Sequence, residues 1–418
     1  VFYFCTICIV VMLRKQWINR EKLVYPLTVL PTEMVREEPS GNKKTYLPGF
    51  FRNRLMWLGF GIAFIVGILI GLHSYNSMIP APELQRGFGI FRGTQRIVFR
   101  ASFPVIGFLY LVNLEVTFSL WFFSLLFQII KGAFNIMGIS STENIGIYGC
   151  PGYAIFAHLG TGAIIAMVAY SLYIARSHFK DIWRNAIGKA VVDDSEEILS
   201  YKTAFWGLII GSIFVLGWLM YSGLNFTIGL LFYIFTLIIF FVLTRIVCET
   251  GIPTMVATII SSSIIISMWG SKHISPSVLV ALGLTYVYSA DVRTFPMAAS
   301  SMSVKIMDQF RGKKRYLFWS IMTALFVNII ATIYFLLKIS YKYGGINLNS
   351  WFYQGAPQAP FDYITDLIKN PTASNKIGWI CRGIGLVVMA GLMFMRQQFL
   401  WWPLHPVGFV IGPVWLMD

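Results

Sequence analysis

Residues 230–244 read LLFYIFTLIIFFVLT, and runs of this kind recur along the whole chain. A helix needs about 20 mainly apolar residues to cross a bilayer, since each residue advances it by about 1.5 Å. One such run can hide in a globular core. Many cannot, because only lipid tolerates so much outward apolar surface. Complete runs are expected over 55–72, 102–114, 115–137, 153–175, 203–222, 225–247, 252–270, 276–290, 316–340 and 378–395, with cut ones at 1–13 and 402–418. The 102–137 region suits either a tight hairpin of two short helices or one span with a re-entrant piece. Charged residues make up 12% of the 418, where a soluble domain has about 25%. The fold class is all-α: a polytopic transmembrane helix bundle with broken or re-entrant segments, in one membrane domain over 1–418. Both ends, VFYFCTICIVVML and HPVGFVIGPVWLMD, lie within apolar runs, so the chain is expected to be a fragment of a longer protein.

The net charge of +15 is distributed as topology requires. Lys and Arg number nine in 14–54, five in 176–202 and six in 291–315. The alternate loops hold four in 73–101, one at Lys272 and three in 341–377. Positively charged loops stay inside. That places 14–54, 176–202 and 291–315 in the cytoplasm and 341–377 outside, provided 102–137 crosses twice. Within the inner loops, DDSEEILSYK (193–202) reads as a solvated surface segment. By contrast, REKLVYPLTVLPTEM (20–34) is apolar with two prolines and too short to span, which suits an interfacial or re-entrant segment packed on protein. Residues 1–34 and 230–255 share one pattern: an apolar helix, Arg, Glu, then a Pro-containing stretch. A parallel duplication is one reading of it.

Familiar catalytic and nucleotide-binding motifs are absent: the chain has no HExxH, GxSxG or P-loop pattern. The five His are scattered, so no metal site is expected; no cofactor is expected, and since the positive charge is distributed as topology, no nucleic-acid partner either. Cys5 and Cys8 form a CxxC inside an apolar helix and read as ordinary thiols. GFGIFRG (87–93) reads as a turn. GxxxG at 67/71, 207/211 and 408/412 marks close helix packing.

Polar groups inside apolar runs carry more, since a charge at the bilayer centre costs about 2.5–3.5 kcal/mol on insertion scales. Glu115, with Asn113 beside it, lies far in sequence from any other charge. It either lines a solute path or caps a helix N-terminus. Arg245 and Glu249 are one turn apart on a helix face and can pair. Gly251 and Pro253 then break that helix, as in transporters that build sites from broken helices. The plainer reading is an Arg anchored at the headgroups beside a turn. Asp291 and Arg293 before Pro296 repeat the pattern. His405 sits between Pro403 and Pro406 as a candidate proton handler or a structured helix entry. Glu21 and Glu33 bracket the segment holding Pro26 and Pro31, and Glu33 is the better candidate.

The order of RKQWINREKLVYPLTVLPTEM, RNRLMWLGF, LVNLEVTFSLWFF, Arg–x3–Glu–x–Gly–x–Pro and WPLHPVGFVIG resembles a family of large bacterial polytopic membrane proteins of unknown function. LVYPLTVLP is also similar, over a few residues, to a Leu-[Tyr/Phe]-Pro segment of the oligopeptide transporter family, which carries peptides or metal chelates. The function expected is ion-coupled secondary transport of a small polar solute in a bacterial inner membrane, not enzymatic catalysis. Its partners would be the bilayer, the solute and a coupling proton or cation, with homo-oligomerisation left open. The alternatives are an enzyme acting on lipid-linked or polymer substrates, with Asp362 and Asp366 as its outer acids, and a subunit docking a cytoplasmic partner.

Overall fold

In the computed structural model all residues are described except 37–47, 94, 140, 142, 151–152, 190–191, 254, 291–294, 311–313 and 415–418. The first part of the chain holds α1 (Phe2–Arg14), α2 (Val29–Val35), α3 (Gly49–Arg52), α4 (Arg54–Tyr75), a hairpin of β1 (Gln85–Ile90) and β2 (Gln95–Arg100), α5 (Phe103–Leu109) and α6 (Leu114–Met137). Then come α7 (Ala154–Ala186), α8 (Tyr201–Tyr221), α9 (Phe226–Thr250), α10 (Ser261–Trp269), α11 (Pro276–Leu284), α12 (Tyr286–Ser289) and α13 (Pro296–Met307). The last helices are α14 (Arg315–Tyr343), α15 (Ala356–Lys369), α16 (Lys376–Gln398) and α17 (Pro406–Ile411). The result is an all-α bundle, and the chain is an integral membrane protein in character. Among the described residues α4, α6, α7, α8, α9, α14 and α16 are long and apolar enough to span.

Those seven match seven of the ten expected internal runs. The other three take different forms. Residues 102–114 hold the seven-residue α5, which Pro104 opens at its first turn, and the first residue of α6. Residues 252–270 do not form one helix. Gly251 closes α9 in the left-handed region, and among the described residues of 252–270 only the nine of α10 are helical. The start of α10 lies level with the middle of α9, since Ser261 Oγ is 2.8 Å from Thr236 Oγ1. Residues 276–290 are likewise the first half of a longer, broken crossing. Tyr288 packs on Phe232, Phe295 stacks on Phe240, and Ser301 meets Cys248, so α11 to α13 descend beside α9. The 291–315 loop therefore contains a helix, α13, that buries Met297, Ala298, Ser300, Ser301 and Val304. GFGIFRG is not a plain turn either: it supplies β1 and the start of a hairpin loop, with Ile90 paired to Gln95.

Breaking two crossings exposes backbone that lipid cannot satisfy. Other irregular segments satisfy some of it. Cys150 N donates to Thr258 O at 3.1 Å, and the Cys150 thiol donates to Pro413 O at 2.9 Å. Three interrupted segments thus meet inside the bundle.

The basic loops gather at one end. Arg14 Nη1 donates to Glu197 Oε1 at 2.9 Å, and Arg14 also pairs with Asp308. Lys314 reaches Asp308 at 2.8 Å and also pairs with Glu196. His178 bonds Met12 O at 2.8 Å. These contacts tie the end of α1, the α7–α8 loop and the α13–α14 connection together at one end of the bundle, the basic end. DDSEEILSYK is accordingly not wholly solvated: Glu197 is 1% exposed and also accepts from Tyr201. Burial pushes the Glu197 carboxyl above its ordinary value, against the pull of Arg14 and the Tyr201 hydroxyl.

Candidate functional site

Near the basic end, three separated chain segments bring charge to one place. α9 presents Arg245 and Glu249 on the same face, and their Nε and Oε2 atoms are 3.9 Å apart. Below them the 20–34 segment folds under the helix end. Tyr25 N donates to Cys248 O at 2.8 Å, its hydroxyl lies 3.0 Å from Ser301, and Pro26 fills the space where a Gly251 side chain would go. This packing delivers Glu21, whose Oε2 lies 2.7 Å from Arg245 Nη2. Thus Arg245 is held by Glu21 more closely than by Glu249.

The third segment is the entry to α17. His405 caps it, its Nδ1 accepting from Val407 N at 3.3 Å. That leaves the proton on Nε2, which donates to Glu249 Oε1 at 3.0 Å. The His405 backbone N–H is anchored on Ser119 of α6 at 2.6 Å. One carboxylate oxygen of Glu249 is therefore taken by a neutral imidazole, and the other faces Arg245 at a distance too long for a hydrogen bond.

These groups line a cavity of about 360 Å³. Its walls include Met167, Tyr170 and Ser171 of α7 and Met389, Met393 and Arg396 of α16. The methionines give the cavity an adaptable apolar lining. Arg245 is 9% exposed, and its Nη1 has no hydrogen-bond partner among the described residues.

Of the residues singled out in the sequence, Arg245, Glu249 and His405 meet here. Glu115 lies at the first turn of α6, more than half exposed, and pairs with Arg396 at 3.0 Å. Arg396 lines the cavity and Glu115 does not. Asn113 is the exposed residue preceding α6. Glu33 pairs with Arg36 at 3.0 Å on the surface, away from the cavity. Asp291 and Arg293 lie outside the described residues. Pro26 opens a short 3₁₀ turn, Pro31 lies within α2 and Pro296 starts α13. Pro253 lines a mostly apolar groove against α14. Asp362 and Asp366 point away from the buried face of α15, which Tyr363, Ile364 and Leu367 form.

Of the bracketing pair it is Glu21, not the preferred Glu33, that reaches the cavity, and Arg396 and a second polar cluster at the far end were not legible as sites. There His158, Glu143 and Arg382 join, with His158 Nε2 2.7 Å from Glu143 Oε2 and Nδ1 3.2 Å from Arg382 Nη2. The signal for Arg382 was present: it is a lone charge within GWICRGIGLVV. Among the described residues no group of His, Cys, Asp and Glu has the makings of a metal site.

Residues 1–418 match the model of a family of unknown function, DUF6785, and the chain belongs to that family. No curated protein and no solved structure matches it.

Proposed function

We propose that this member of a family of unknown function is a secondary transporter. It moves a small polar solute by ion-coupled alternating access, with the basic end in the cytoplasm of a bacterium. The observation that carries the reading is the cavity itself. Glu21, Arg245, Glu249 and His405 converge from three segments on about 360 Å³, where α9 ends at Gly251 and α17 begins. Buried charge is costly in a membrane and is retained where a path or site uses it. Broken helices beside it are the usual way such a site gains free polar ends. The volume lies at the low end of ligand pockets, about 300–1,000 Å³, and suits a small solute better than a polymer.

In this reading Glu249 is the carboxylate that takes the coupling proton or cation. His405 holds one of its oxygens in place. Arg245, fixed by Glu21, offers positive charge to an acidic group on the solute. Arg396, paired with Glu115, stands at the rim. The short likeness of LVYPLTVLP to oligopeptide transporters makes small peptides and metal chelates the first solutes to try.

The test uses full-length protein in liposomes, with di- and tripeptides, amino acids, iron citrate and sugars as probes. A probe that raises the Tm of the wild type is then followed as uptake. Glu249→Gln is expected to abolish uptake while leaving the unliganded Tm within a few degrees. Uptake that survives in this variant would remove Glu249 from the path. If no probe binds and sensitive positions map instead to 341–377, an outer-loop enzyme replaces this reading.

A further inference from the structure

α7 and α16 are in closest contact toward the end opposite the basic loops. A side chain at Gly162 would strike the backbone of Arg382, and one at Gly385 would strike Leu159. Beside this crossing His158, 1% exposed, stands between Glu143 and Arg382. A guanidinium has only N–H donors, so Nδ1 must be the acceptor and Nε2 must carry the proton given to Glu143. The imidazole is neutral, and both its nitrogens are committed.

Arg382 has few other anchors. The same Nη2 donates to Ser267 Oγ at 2.8 Å, and the guanidinium lies 5.3 Å from the Trp379 ring. Its Nε and Nη1 are buried with no hydrogen-bond partner among the described residues. The bond to His158 is therefore a main restraint on a charge that is poorly satisfied where it sits. Asn375, which caps the start of α16, also bonds Glu143.

We propose that His158 is a proton-binding site that unlatches α16 from α7 at this end. A proton from solvent adds to the Nδ1 lone pair. The acceptor becomes a donor, Arg382 loses its bond, and two positive groups face each other at 3.2 Å. The imidazolium keeps its bond to Glu143, so Arg382 is the partner that must leave, and the first turns of α16 go with it.

Histidine is the side chain that changes charge nearest neutral pH. Glu143 stays ionised through that change. Burial pushes its carboxyl up, but hydrogen bonds from His158, Ser267 and Asn375 outweigh this and hold it below its ordinary value. The other titratable groups facing the cluster are Arg382 and Cys381 from α16 and Tyr363 from α15, while α10 adds only the Ser267 hydroxyl. Burial pushes the Tyr363 phenol further up, so it remains neutral. As a far-side gate this site rests on the transport reading; as a latch it does not.

The experiment is hydrogen–deuterium exchange of the full-length protein in lipid nanodiscs at about pH 8 and about pH 5, corrected for intrinsic exchange rates. His158→Gln is the comparison: its carbonyl can accept from Arg382, its amide can donate to Glu143, and it does not titrate. Peptides over 376–385 should exchange about tenfold faster at the acid pH in the wild type. In the variant they should show no such change. A wild type whose exchange is the same at both pH values overturns the proposal, whatever the variant does. So does a variant that keeps the acid response. An acid response without uptake of any probe leaves the latch standing and removes only the transport reading.

Discussion

Arg245 shows what a single side chain does here. Its partner Glu21 lies in a segment whose position the sequence does not reveal, because the two are more than two hundred residues apart. The same holds for Glu115 and Arg396, separated by 281 positions. Isolation in sequence made Glu115 conspicuous, yet it carries no information about distance in space. Arg245 and Glu249 were legible because an i, i+4 spacing on a helix is already a spatial statement. Breaking a buried pair by removing one partner costs about 3–5 kcal/mol, much of it the penalty of an unpaired charge. Glu21→Ala is therefore expected to lower the Tm clearly, and Glu21→Ala with Arg245→Met to recover part of the loss, as thermal unfolding in detergent would show. Glu143 gives a second residue-scale expectation. Its folded value lies below the ordinary 4.5, so its contribution is fully present above that value and is lost as pH falls below it. The acid limb of a Tm-against-pH curve should flatten in Glu143→Gln.

At the scale of elements, apolar length and composition sufficed for the seven spanning helices. They did not distinguish a whole helix from two halves. Residues 252–270 and 276–290 are apolar enough to read as spans, and what divides them is backbone chemistry and tertiary contact. Gly251 was a visible marker of the first break. The crossing of α7 and α16 was not visible, because it uses single glycines rather than a repeated motif. GxxxG at 207/211 does pack, against Phe4 and Cys5 of α1, and 408/412 packs against α6. At 67/71 the glycines face open space. A controlled pair of substitutions tests the crossing. Gly385→Ala should cost about 1–3 kcal/mol of stability by overpacking. Gly383→Ala, two residues away where nothing lies within 4 Å, should be neutral or slightly stabilising. Equilibrium unfolding of the two variants separates the outcomes.

For the whole molecule, ion pairs join three segments rich in Lys and Arg at one end. The ion pairs joining Arg14, Glu197, Asp308 and Lys314 bring together the ends of the three basic loops. Their placement in the cytoplasm is a prediction with a simple check. Ser195 and Ser350 are both exposed and sit at opposite ends. Introduced as single cysteines, Ser350→Cys should react with an impermeant maleimide in intact cells, and Ser195→Cys only after permeabilisation. The reverse pattern would invert the molecule.

α7 runs unbroken for 33 residues and carries both polar regions. His158 lies four residues from the tight contact at Gly162, and Ser171, on the cavity wall, lies nine residues beyond it. At 1.5 Å per residue these are arms of about 6 Å and about 14 Å on either side of one fulcrum. A stiff rod pivoting there would turn a small tilt at the histidine into a sweep more than twice as large at the cavity. The gain is set by where a glycine falls in the sequence.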